Sequence, residues 1–163
     1  MKAERAGILA AWLLVCVVVV YAVAGFERTL RDGQLVLLEL APVDPRSLMQ
    51  GDYMALRFAV DGQLSRQQQP LPGYAYLHLG AGGRAVLAGT GSQPATEPGV
   101  VSMRIRWGSG GASLGPNAFF FQEGTAAVYE QARWGGFRVA ADGTALLAAL
   151  YDEELQLLGS NHR

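Results

Sequence analysis

The chain has one cysteine, one lysine and two histidines among 163 residues, and each scarcity removes a kind of chemistry. A lone Cys16 cannot form an intramolecular disulfide, and a zinc site built from cysteines needs more than one. The single lysine is Lys2, so Ser47 has no lysine on its own side of the apolar run described below, and a Ser-Lys dyad is excluded. His78 falls on the Tyr74, Tyr76, His78 face of an expected strand and reads as a surface side chain; His162 is near-terminal. No spacing of His, Asp and Glu suggests a first-row metal site, and no cofactor is expected. Charge of one sign is lacking too. Thirteen Lys plus Arg stand against 14 Asp plus Glu, a net charge of -1, so there is no basic excess to neutralise phosphates and nucleic acid is not expected as a partner.

What is present is a concentration of apolar residues. Ala6 to Phe26 (AGILAAWLLVCVVVVYAVAGF) contains no charged side chain. As a helix it reaches about 31 Å, the thickness of a hydrocarbon core, so the lipid bilayer is expected to hold residues 6–26 as a single span. Lys2 and Arg5 precede it; Glu27, Arg28, Arg31 and Asp32 follow. Two basic residues on each side leave the positive-inside rule nearly mute, and the short N-terminal side favours a signal anchor with its N-terminus inside. The competing reading is a signal peptide cleaved near Ala24, because Ala22-Val23-Ala24 has the small-x-small pattern and leads to a secreted domain. Cys16 lies in mid-span behind bulky Val15, which argues against lipoprotein processing.

Beyond the span the composition is that of a β-rich domain, short apolar or alternating runs divided by Gly and Pro. The expected organisation is a cytoplasmic N-terminus (1–5), the span (6–26), a juxtamembrane linker (27–33) and an extracytoplasmic domain (34–163). Strands are expected at Gln34 to Leu40, Tyr53 to Val60, Tyr74 to Leu79, Arg84 to Thr90, Val100 to Trp107, Gly136 to Ala140 and Thr144 to Tyr151. In Tyr53 to Val60 the alternation predicts that Met54, Leu56, Phe58 and Val60 face the core. Asp61 to Gly73 reads as a loop, Gly51-Asp52 as a tight turn and Thr125 to Arg133 as one short helix. The fold class is α+β, mostly antiparallel β with about seven strands, behind one N-terminal transmembrane helix.

Candidate chemistry is thin. Gly80-Ala81-Gly82-Gly83-Arg84-Ala85 matches G-x-G-x-x-A, but the run after it is too short for the helix that a dinucleotide site requires. Asp52 and Glu123 could share acid and base roles in an envelope hydrolase; the plainer reading gives Asp52 to its own turn and Glu123 to the amide end of the following helix. Arg57, Arg104 and Arg106 are candidate partners for these acids or ordinary surface arginines. A small-ligand sensor would need an apolar pocket, for which Phe119, Phe120, Tyr74 and Trp107 are candidates.

At Gly51-Asp52-Tyr53-Met54-Ala55-Leu56-Arg57-Phe58 the chain resembles the GDYxxLxY family of bacterial membrane-anchored proteins. Gly51, Asp52, Tyr53 and Leu56 match the octapeptide, and Phe58 replaces its final Tyr. Pro42-Val43-Asp44-Pro45-Arg46-Ser47 upstream, and Phe120-Phe121-Gln122-Glu123-Gly124 with Tyr129, Ala132 and Arg133 downstream, are similar as well, so the likeness spans about residues 35–155. The resemblance implies a membrane helix and an exported domain without an established activity. It also implies association with multi-pass membrane proteins. The expectation is therefore an accessory or binding module rather than an enzyme.

Overall fold

A computed structural model describes residues 2–41, 49–50, 53–67, 70–108, 110–122 and 124–160. Helix α1 (Lys2–Asp32) takes in the whole apolar run and continues through the segment after it. β-branched valines lower helix propensity only slightly, and in a bilayer a helix is the form that satisfies every backbone group within one segment. From Ile8 to Phe26 its large apolar side chains are exposed. Its last turn is different: Thr29 is buried at 9% exposure and α1 packs there on strands β10 and β11.

The domain follows as β1 (Gln34–Glu39), β2 (Met49–Gln50), β3 (Tyr53–Ala55), α2 (Ala59–Ser65), β4 (Tyr74–Leu79), β5 (Ala85–Gly91), β6 (Val100–Arg104), β7 (Arg106–Gly108), β8 (Gly111–Ser113), β9 (Ala118–Phe120), α3 (Ala126–Tyr129), β10 (Trp134–Val139), β11 (Ala145–Tyr151) and β12 (Leu157–Ser160). The sheets run β1-β10-β11-β12, β2-β3-β9, β5-β4-β6 and β7-β8, with antiparallel pairing throughout. A parallel bridge between Leu37 and Arg84 links the first sheet to the β4–β5 turn. The fold is α+β and mostly antiparallel, as the patterning indicates.

The strand number differs from the expected seven: twelve lie among the described residues. Val100 to Trp107 is two strands, because pairing with β4 runs only as far as the Ile105 amide, which donates to the Gly73 carbonyl at 2.9 Å, and β7 then pairs with β8. Short ladders also form outside the seven expected strands, at β8 and β12. Tyr53 to Val60 is likewise not one strand. β3 ends at Ala55, Phe58 bridges Leu40, and α2 begins at Ala59 in what reads as the end of a strand and the start of a loop. The core expectation holds nonetheless, since Met54, Leu56, Phe58 and Val60 are all buried. Spacing of two carries the chain to Phe58, and from Val60 to Leu64 a spacing of four puts both on one helix face. The expected helix over 125–133 shortens to α3, and Gly135-Gly136, read as its stop, belong to β10.

One hydrophobic core joins all of this. Phe58 and Phe137 pack edge to face at 5.2 Å, with Val36 and Leu38 from β1, Leu77 from β4 and Leu150 from β11 around them. β1 sets the long axis. Gln34 pairs with Val139 beside the anchor, and Glu39 pairs with Trp134 roughly 17 Å away at about 3.3 Å per residue.

Candidate functional site

Gly51 and Asp52 lie outside the described residues, as do Glu123, the Pro42 to Ser47 block and His162. What surrounds them is described. Gln50 pairs with Tyr53, which leaves two residues between β2 and β3, the commonest length of a hairpin connection. Tyr53 pairs with Phe120, Met54 with Phe119 and Ala55 with Ala118, so Tyr53 to Ala55 of the octapeptide and Phe120, the first residue of the second block, lie on neighbouring strands although some 65 residues apart in the chain.

Each matching residue has a distinct place. Leu56, at 5% exposure, and Phe58, at 2%, are core, and the Leu56 amide donates to the Asn117 carbonyl at 2.8 Å. Tyr53 is half-buried, its ring 5.8 Å from that of Phe120, which is 71% exposed. Phe121 stacks on Tyr129 at 5.0 Å, and Phe119 meets Tyr129 at 5.4 Å. The Gln122 carbonyl accepts the Thr125 hydroxyl at 2.6 Å, and Gly124 forms the turn into α3. Arg133 projects into solvent while its backbone joins strand ends: its amide donates to Tyr151 and its carbonyl accepts from Leu40, both at 2.8 Å. This aromatic face stands at the end of β1 away from the anchor, because Phe58 bridges Leu40 there.

Of the arginines read as candidate partners of Asp52 and Glu123 or as surface side chains, Arg104 is exposed and binds Asp142 at 3.1 Å, with its guanidinium over the Tyr74 ring. Arg57 and Arg106 are exposed. The aromatics considered for a ligand pocket are distributed over three sheets: Phe119 and Phe120 on β9, Tyr74 on β4, and Trp107, 58% exposed, on β7. After Gly80 to Ala85 comes strand β5 rather than a helix, so no helix N-terminus faces that turn. His78 is exposed on β4. Among the described residues no three His, Cys, Asp or Glu side chains gather.

A half-buried carboxylate that sequence reasoning missed is Asp61. It accepts hydrogen bonds from the Leu114 amide at 3.0 Å, the Ser113 hydroxyl at 2.9 Å and the Phe58 amide at 3.4 Å. Burial raises its pKa above the ordinary carboxylate value despite these three bonds. An acid at the third position of α2 that reaches back to the cap amide is the available signal, hidden because the preceding residues alternate like a strand.

These features define a class: a small antiparallel β-rich domain continuous with an exposed apolar helix, its two marker blocks joined on adjacent strands. The family model described as GDYXXLXY protein matches residues 15–150, and the chain belongs to that family. Comparison with curated proteins and with solved structures finds no match in either.

Proposed function

We propose that the protein is an anchored accessory module of the bacterial envelope: α1 crosses the inner membrane with its N-terminus inside, and the domain binds a multi-pass membrane protein or another envelope component on the extracytoplasmic side. The observation that carries this reading is α1 itself. Its apolar residues from Gly7 onward are left unburied by the domain, and a helix of 31 residues, about 47 Å long, outreaches a hydrocarbon core of about 30 Å by roughly three turns. A helix that is apolar all round and uncovered by its own domain needs lipid as its solvent. The surplus beyond Phe26, Glu27 to Asp32, leads into β1 through Gly33 alone, so the module is mounted on its anchor rather than tethered by a flexible chain. At the other end, Phe120 and the neighbouring Tyr53 offer an aromatic surface on the family's two marker blocks, and aromatic residues are enriched at protein interfaces.

Three measurements test the reading together. A C-terminal alkaline phosphatase fusion is expected to be active, and the intact mass of membrane-extracted protein to include residues 1–26. A photo-crosslinking residue in place of Phe120 is expected to capture a multi-pass protein. An inactive fusion, a mass that begins near Gly25, or a partner-free monomer would overturn the corresponding part.

A further inference from the structure

The junction between α1 and the domain contains almost no free chain. Thr29 stands less than a turn beyond Phe26, about 4.5 Å along the helix axis, and is already buried. Its hydroxyl donates to the Gly25 carbonyl at 3.1 Å, so it is satisfied within the helix while its side packs on the sheet. Gly33 closes the helix by donating its amide to the Thr29 carbonyl at 3.0 Å, and its own carbonyl accepts the Arg138 guanidinium at 3.1 Å. A Cβ at Gly33 would lie 2.3 Å from the Thr29 oxygen and 3.0 Å from the Val139 nitrogen, so helix end and strand are in backbone contact.

This contact settles which end of the domain is nearest the helix. Val139 pairs with Gln34, the first residue of β1, so the turn from β10 to β11, residues 140–144, is at the anchor end. β6 joins it there: the Arg104 amide donates to the Gly143 carbonyl at 2.9 Å and the Arg104 side chain grips Asp142. The polar layer between hydrocarbon and water is about 5–7 Å deep on each side of a bilayer, no more than the rise from Phe26 to Asp32. With Phe26 at the hydrocarbon edge, the last turn of α1 occupies that layer, and the sheet packed on that turn cannot stand clear of it.

We infer that the anchor-side end of the domain, the 140–144 turn with Arg104 beside it, is seated among phospholipid headgroups, held there by the rigid Gly33 junction. The inference rests on the proposed anchor. Its chemistry suits a phosphate-rich surface. The Arg28, Arg31 and Arg104 side chains are exposed, Arg31 bonded to Asp32 and Arg104 to Asp142, and guanidinium groups bind phosphate oxygens through the N–H donors that remain. Trp107, three residues after Arg104 and so within about 10 Å of it, adds an exposed ring of the amphipathic kind enriched at bilayer interfaces. Glu27, Asp32 and Asp142 nearly balance the arginines, so net charge is a weak source of adhesion and the short mount is the main one. Seating is therefore expected on a neutral bilayer.

The test uses the full chain with Cys16→Ser, reconstituted in phosphatidylcholine nanodiscs whose headgroups carry a nitroxide. A fluorophore on Ala141→Cys reports the anchor end, and one on Leu157→Cys reports the far end, where Leu157 pairs with Tyr151. Quenching at 141 is expected to exceed that at 157 about threefold or more, and a Gly-Ser insert of about six residues after Asp32 is expected to erase the difference. Equal quenching at the two positions overturns the inference. So does quenching at 141 that survives the insert, which would make adhesion rather than the mount responsible. A chain that enters the disc and is quenched at neither position leaves the anchor standing and removes only this inference; a chain that does not enter the disc removes both.

Discussion

The Asp61 carboxylate accepts the Ser113 hydroxyl at 2.9 Å across 52 positions of chain, and with the Leu114 amide at 3.0 Å it ties the start of α2 to the end of β8. Asp61→Ala leaves the buried Leu114 N–H without a partner and is expected to cost about 1–3 kcal/mol in urea unfolding. The pH dependence has a definite sign. A carboxyl whose folded pKa is raised takes up a proton more readily when folded, so its contribution to stability is full below the ordinary value of 3.8 and fades as pH rises through the raised value. Measured between pH 3.5 and 7, the stability of the parent relative to Asp61→Asn should fall as pH rises; a difference that grows would show that the carboxylate is stabilised in its ionised form.

Phe58 occupies a slot between two glycines. A Cβ on Gly115 would sit 2.3 Å from the Phe58 ring and 2.8 Å from that of Phe137. Phe58→Ala is expected to cost about 3–5 kcal/mol and Gly115→Ala about 1–3 kcal/mol, the first by leaving a cavity and the second by overpacking. Thermal melts of the two single variants check this, and an unchanged melting temperature for Gly115→Ala would place the rings further apart.

Gly33 accepts no larger residue without parting α1 from β10, because the group in the way is the Thr29 backbone carbonyl rather than a side-chain end. Gly33→Val should speed amide exchange at Gln34 to Val36 and at Arg138 and Val139 while leaving β4 to β6 protected. Uniform acceleration across the domain would show that the junction is not a local unit.

Asp142 is held below the ordinary carboxylate value by the Thr144 amide and hydroxyl, with Arg104 adding to them. A depressed pKa contributes stability above the unfolded value, lost as pH falls through the folded one. NMR titration of the Asp142 carboxyl should place its midpoint below 3.8, and Thr144→Ala should move it upward. A midpoint that ignores Thr144 would assign the shift to Arg104 alone.

Phe120 is expected to matter for association more than for folding. Its ring is largely in solvent, so Phe120→Ala should change unfolding free energy by less than about 1 kcal/mol while it weakens partner recovery from detergent-solubilised membranes. A large loss of stability would make Phe120 a core residue instead.

Much of the fold was legible along the chain. The apolar run announced α1, and short apolar runs divided by Gly and Pro located β1, β4, β5, β10 and β11 to within about two residues; β4 and β5 alternate in burial, whereas β1, β10 and β11 bury consecutive residues. The failures share a cause. Ile105 carries nothing that marks a break, yet beyond it the chain exchanges one pairing partner for another, β4 for β8. Val60 continues the alternation of Tyr53 to Phe58 and is buried as expected, but on a helix that an Asp61 carboxylate initiates. Arg104 is exposed, one of the two readings its sequence allowed, but its partner Asp142 is 38 positions away and is reached only through the β6 contact with the 140–144 turn.

By itself, then, the sequence determined that an uncharged apolar run long enough to cross a membrane precedes a mostly antiparallel domain, because hydrophobic patterning is a local property that pairing does not alter. Tertiary structure alone decided that Tyr53 pairs with Phe120, that the Asp61 carboxylate reaches Ser113 and Leu114, and that α1 meets the sheet through Gly33 without a spacer. Those outcomes depend on which strand pairs with which and on the space left between backbones, and neither is written in the order of residues along a single chain.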